Sequence, residues 1–292
     1  MSTVLHFTVP KDFDGKETKY FLRSYCHISA GLLTALKKVP LGISKNGILL
    51  RSVDKVYQND TVTLTLPPEE NTIIPVAMPL NIFYEDNYIL VIDKPFHMPV
   101  HPTHDHITDT LANGVTYYLR NKQEHFAFHA LNRLDRDTTG LVLIAKDRYS
   151  AFYLAKNFQK RYMAICEGIL TDSGTVNADI SILDGHTIER TAGTGNGIPS
   201  VTHYKPLLSR NNHTLVEFSL ETGRTHQIRV HMAYLGFPLA GDDMYGGHLD
   251  FIKRQALHCQ QISFIHPISH KPVTLSSPLP DDMLSVISDK SL

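Results

Sequence analysis

The sequence predicts an α+β protein in two parts, a small N-terminal module and a larger C-terminal domain. Three observations carry that prediction. Residues 67–80, PPEENTIIPVAMPL, hold four prolines and two glutamates and interrupt any regular pattern. Short β-branched apolar runs bounded by turn signals lie on both sides of this break, and helix-like segments are interleaved among them.

Upstream of the break, residues 20–38 (YFLRSYCHISAGLLTALKK) read as a helix or a helix pair. Asn46-Gly47 supplies the positive-φ turn of a hairpin, and residues 61–66 alternate like a half-buried strand. Downstream, YILVID (88–93) and LVLIA (141–145) read as strands, residues 148–158 as a helix and RYMAICEG (161–168) as a further strand. LVEFSL (215–220) pairs late in the chain and leads through a Thr222-Gly223 turn into a helix over about 225–235. Thr225 is its expected N-cap and Gly236 its C′ residue, with Pro238 beyond. The polar, glycine-rich tract 184–200 is expected to be a long loop. The domain limits that follow are 1–70, a linker at 71–80, and 81–292.

Composition sets outer limits. The chain has 292 residues, 42% of them apolar, enough for one large domain and a small appendage. Its net charge of −1 gives no global electrostatic signal for or against nucleic acid. Cys26, Cys166 and Cys259 are odd in number and widely spaced, as free thiols of a reducing compartment are. The N-terminal stretch MSTVLHFTVP lacks a basic region followed by an apolar one, and no apolar run approaches the 18 residues of a membrane span, so a cytoplasmic protein is expected.

One stretch stands out chemically. LNRLDRDTTGLVLIAK (131–146) crowds two arginines and two aspartates into a turn at the mouth of an apolar strand. A turn aspartate usually bonds its own backbone and pairs with a neighbouring arginine, worth under about 1 kcal/mol. Two other segments shift the balance. Tyr162 opens an apolar strand just after Lys160-Arg161, and TGRTHQIRVH (222–231) loads Arg224, His226, Arg229 and His231 onto a helix that must also pack through Ile228, Met232 and Leu235. Arg229, beside Ile228, therefore needs a carboxylate. Between Arg133 and Tyr162 there are seven Lys or Arg against three Asp, a local positive excess that suits phosphate binding.

Taken together, YEDNYILVIDKPFHMPVHP, NRLDRDTTGLVLIAK, KRYMAICEG, SVTHY, LETGRTHQIRVHMAYLGFPLAGDDMYG and QALHCQQISFIHP resemble, in order and spacing, the RluA family of pseudouridine synthases over about residues 80–280. The module with SAGLLTALKK, SKNGILL and QNDTVTL is similar to a degenerate S4 RNA-binding domain. The resemblance implies a pseudouridine synthase catalytic domain with a mixed, mainly antiparallel sheet flanked by helices and loops, acting on RNA, ribosomal or transfer, with no cofactor or metal. It makes Asp135 the catalytic aspartate, Arg229 its ion-pair partner, Tyr162 the residue that stacks on the target base, and Arg133 the side chain that fills the gap left by that base. Lys94, Arg136, Thr139, Arg224, His226 and Gln227 are expected to bind the substrate. Asn132 and His97 stand where the family usually has His and Gly. A monomer away from membranes is the expected state.

Two competing readings were weighed. HPTHDH (101–106), in a chain with seventeen histidines, invites a metal hydrolase, but its spacing matches no three-ligand zinc motif. A binding protein that kept the fold without activity would have no chemical reason to retain Asp135, Tyr162 and Arg229 together.

Overall fold

The computed structural model describes residues 3–124, 126–185 and 188–288. The N-terminal module is a four-stranded antiparallel sheet in the order Val4–Thr8, Thr61–Thr65, Ile43–Lys45, Ile48–Leu49, covered by two short helices. Alternation does the sorting: Leu5, Phe7, Val62 and Leu64 face the core while their neighbours face outward. Asn46 and Gly47 both take positive φ, as the hairpin requires. The helical stretch resolves into a pair, Thr18–Ser24 and Ala30–Leu36, broken where His27 turns to φ 54°. Ser29 caps the second helix, its Oγ accepting from Leu32 N at 3.0 Å.

The larger domain is a ten-stranded sheet. Its main path runs Gly174–Asn177, Val201–Arg210, His213–Leu220, Phe158–Glu167, Leu257–Ile265, Thr139–Ala145, Ile89–Lys94, Ile82–Glu85. Every pairing is antiparallel except that of Thr139–Ala145 with Leu257–Ile265, so the sheet is mixed and mainly antiparallel. Leu141 to Ala145 are all fully buried, which is why that segment reads as a continuous apolar run rather than an alternating one. Gly140, at φ 111°, lies so close to the backbone of Cys259 that a Cβ there would collide with it, and the parallel pair closes only because it has none.

Three boundaries differ from the sequence expectation. Tract 184–200 is not simply a loop: Arg190–Ala192 pairs with Ile180–Ile182, and the Asp179 carboxylate takes the N–H groups of Gly195 and Gly197 at 3.0 and 2.6 Å. A polar hairpin whose backbone is satisfied by one aspartate has no apolar alternation to read. His186 and Thr187 lie outside the described residues. The helix at 148–158 ends at Lys156, because Phe158 already belongs to the next strand; Asp147 caps it, accepting from Ser150 N at 2.8 Å. The helix Gln227–Tyr234 starts two residues late and its N-cap is His226, in the left-handed region, rather than Thr225. Gly236, at φ 82°, ends it as expected.

The core of the module extends onto the larger domain. Tyr149 and Tyr153 on helix Arg148–Lys156 pack among Leu5, Phe7, Phe21 and Leu22, with Phe7 edge-on to Tyr149 at 5.7 Å. Residues 67–80 form no regular element, yet Glu69 accepts from Arg148 Nε at 2.9 Å. The segment between the two parts is thus fastened to the larger one.

Candidate active site

Asp135 lies on the turn entering strand Thr139–Ala145, and the turn is held from every side. Its own carbonyl accepts from Thr138 N at 3.1 Å. Beneath it, Lys94 Nζ donates to the carbonyls of Pro95, Met98 and Arg136 at 2.9, 2.8 and 3.0 Å. Asn132 straddles the strand entrance, donating to Leu141 O at 2.9 Å and accepting from Leu143 N at 3.0 Å. A charged turn at the mouth of a buried strand is stable here because each of its four charged side chains has a partner, Arg133 with Thr225, Asp135 with Arg229 and Arg136 with Asp137.

Arg229 reaches the turn from helix Gln227–Tyr234. Its Nη1 donates to Asp135 Oδ2 at 3.2 Å. On its other side Nε and Nη2 donate to the two oxygens of Asp242, each at 2.7 Å, and its guanidinium lies 5.0 Å from the ring centre of Tyr245. Burial opposes the charge on Arg229, but Asp242 and then Asp135 outweigh it and hold the guanidinium above the ordinary arginine range. His226 completes the ring of groups: its Nδ1 is 2.9 Å from the Tyr245 hydroxyl and its Nε2 3.9 Å from Asp135 Oδ2.

Tyr162 comes from strand Phe158–Glu167 and is 7% exposed. Burial, reinforced by Cys259 and Asp135, pushes its hydroxyl well above the usual range, so it is a neutral phenol at ordinary pH. A ring that can stack is retained; a phenolate base is not.

Asp135, Tyr162, Arg229, Arg133, Arg224, His226 and Gln227 all line one open pocket, with Leu134, Leu220, Ile228 and Leu257 as apolar walls. Arg133 is exposed at its rim, Nη2 donating to Thr225 Oγ1 at 3.2 Å. Four of the expected substrate contacts have protein partners of their own in the structure. Lys94 is 1% exposed with its ammonium filled by three carbonyls, so it positions the turn. Thr139 is 6% exposed and meets His258 Nδ1 at 2.8 Å, outside the pocket lining. Arg136 is exposed but turned onto Asp137, 3.0 Å from Nη2 to Oδ2. Gln227 touches the pocket, yet its amide accepts from Thr222 Oγ1 and Arg224 N and donates to Val201 O and Thr202 Oγ1, bracing the turn that carries Arg224.

Asp242 is the residue that sequence reasoning missed. Arg229 needs a carboxylate and the segment GDDMYG offers two, but nothing in residue order says which acid turns inward. The histidine-rich segment is accounted for locally: His106 Nδ1 is 2.6 Å from Asp109 and His101 packs edge-on to Phe128. Among the described residues no group of three His, Cys, Asp or Glu side chains is placed to hold a metal ion, and no helix is long and apolar enough to cross a membrane.

A family model described as RNA pseudouridylate synthase matches residues 88–234, the span that delivers Asp135, Tyr162 and Arg229. The chain belongs to that family. The synthase is 38% identical over 272 residues to an uncharacterized RNA pseudouridine synthase, YjbO, of Bacillus subtilis, covering 90% of this chain and 96% of the relative. It is 36% identical over 265 residues to ribosomal large subunit pseudouridine synthase D of Xanthomonas campestris, covering 83% and 79%. These relatives agree with the RluA-type motifs. Among solved structures, human RNA pseudouridylate synthase domain containing 1 matches with a TM-score of 0.54 at 24% identity, covering 72% of this chain and 86% of the other, which shows the same fold. The synthase is an isomerase acting on RNA.

Proposed function

We propose that the synthase converts uridine to pseudouridine in large-subunit ribosomal RNA, with Asp135 as the catalytic group. The observation that carries this reading is the Asp135–Arg229 pair, 3.2 Å apart in a pocket that Tyr162 also lines. Relatives of nearly full length bear the name ribosomal large subunit pseudouridine synthase D, which supports the substrate class.

The chemistry breaks the N1–C1′ bond of a uridine, turns the detached uracil and joins it through C5. The C5 proton leaves and N1 ends protonated, so the product is an isomer and no water is consumed. A uridine stacked within RNA cannot reach a recess in the protein wall, so it is flipped out at a cost of a few kcal/mol, least where the RNA is already looped. Arg133, exposed at the rim, fills the gap it leaves. Asp135 acts as a carboxylate, whether it attacks C1′, adds to C6 or takes the C2′ proton, and the Arg229 guanidinium beside it fixes the position of its Oδ2 in each case. Tyr162 gives the free ring a flat face, worth about 1 to 3 kcal/mol.

The test is pseudouridine mapping of ribosomal and transfer RNA from cells with and without the protein, together with purified enzyme on in vitro transcribed large-subunit RNA. A site lost from ribosomal RNA and restored in vitro is the expected result. Loss from transfer RNA alone would reassign the substrate, and no change in either would reject the reading.

A further inference from the structure

Beside the pocket that holds Asp135 lies a second void of about 360 Å³, and the two share Leu220 as a wall. Its origin is a splay in the sheet. Strand Phe158–Glu167 pairs with His213–Leu220 only as far as Arg161 opposite Ser219, whereas on its other edge it stays paired with Leu257–Ile265 as far as Phe158. Residues 158–160 are therefore left with one open edge, facing Leu220 and Glu221 across the gap, two residues from Tyr162.

The cations around this void are not equivalent. Arg161 is paired with Glu217 at 3.2 Å and His203 with Glu221 at 2.7 Å. Lys160 is half-buried, rests 5.4 Å from the ring centre of Phe158, and among the described residues has no hydrogen bond or ion pair. A partly desolvated ammonium without a counter-ion is costly, and here it adjoins an empty polar space. Gln159 is exposed at the same void, and Gln261, whose amide nitrogen donates to Ser276 Oγ at 3.0 Å, has no partner for its amide oxygen among the described residues.

We propose that this void is the subsite for the nucleotide adjoining the isomerised uridine, with Lys160 holding the phosphodiester between them and Gln159 and Gln261 meeting the edge of the neighbouring base. The assignment rests on the reading of Asp135 as the catalytic group of an RNA isomerase. It explains how a protein of net charge −1 engages a polyanion: a lone cation is kept unpaired where one phosphate must pass.

The test uses the full-length protein and unmodified large-subunit RNA transcribed in vitro with tritium at uridine C5, release of which reports turnover. Lys160→Met is expected to raise KM about tenfold, as loss of one charged contact does, while lowering kcat much less. It should also reduce the slope of log KM against log salt by about 0.7, the value for one phosphate on a single strand. Lys160→Arg should keep the wild-type slope. Because a variant can fail for reasons of folding, the same contact is removed from the other side. In an RNA oligonucleotide carrying the modified uridine, a neutral methylphosphonate at one flanking linkage should weaken the wild-type enzyme and leave Lys160→Met unaffected. Wild-type KM and salt slope in Lys160→Met, or equal sensitivity of both enzymes to the methylphosphonate, overturns the subsite while wild-type turnover leaves the isomerase reading standing. Absence of turnover by the wild type on ribosomal and transfer RNA removes that reading, and the subsite with it.

Discussion

Arg229 is held by Asp242 more tightly than it holds Asp135: two bonds of 2.7 Å to the first carboxylate and one of 3.2 Å to the second. Asp242 is 1% exposed and Asp135 is a quarter exposed, so the inner acid fixes the guanidinium and the outer one faces the pocket. The division is a physical one between a buried anchor and an accessible carboxylate.

Asp135→Asn should abolish pseudouridine formation while the protein keeps its melting temperature within a few degrees and its affinity for RNA. The amide preserves shape and an acceptor for Arg229 but carries no charge. Normal product from the purified variant would remove Asp135 from the mechanism.

Asp242→Asn should be costly in two ways. Removing one partner of a buried ion pair typically destabilises by about 3 to 5 kcal/mol. With its anchor weakened, Arg229 can also turn toward Asp135, so kcat should fall more than KM rises. Urea unfolding and single-turnover rates measure the two effects separately; unchanged stability would mean that the pair is not the anchor described here.

Tyr162→Phe keeps the stacking face and should leave KM close to wild type, whereas Tyr162→Ala should weaken RNA binding by about 1 to 3 kcal/mol. Since burial holds the Tyr162 hydroxyl protonated, the rate of the wild-type enzyme should show no step from its ionisation between pH 7 and 10. A rise in that range present in wild type and absent in Tyr162→Phe would contradict a neutral phenol.

Lys94→Met should behave as a folding variant. It leaves the carbonyls of Pro95, Met98 and Arg136 without their shared donor, and each orphaned buried acceptor costs about 1 to 3 kcal/mol. Its melting temperature should drop, and the salt slope of RNA binding, which counts phosphate contacts, should not change. A reduced slope at intact stability would restore Lys94 as an RNA contact.

His258 introduces a pH dependence of stability. Burial, aided by Arg254, lowers its pKa to about 4 from the ordinary 6.5. Between those values the unfolded chain binds a proton that the folded one does not, so stability falls as pH drops from about 6.5 to about 4. Urea unfolding at several pH values should show this acid limb in wild type and a shallower one in His258→Asn; parallel curves would assign the limb to other groups.

The strands are the part of this architecture most directly written in residue order. The run 141–145 is apolar throughout because both faces of its strand are covered, and residues 61–65 alternate because one face is wet. The catalytic candidates were legible for a related reason: Asp135, Tyr162 and Arg229 are polar groups beside segments that must be buried, a conflict visible without coordinates. Partnership was not. Arg229 lies 94 residues from Asp135 and 13 from Asp242, and which carboxylate is anchor and which faces the pocket depends on how a helix, a turn and a strand mouth converge. The same holds for Lys94, expected to bind substrate, whose ammonium meets the carbonyls of Pro95, Met98 and the distant Arg136 only in the folded chain. Periodicity records burial, a property of each residue alone. Pairing across the sheet is a property of the closed chain, and only packing assigns it.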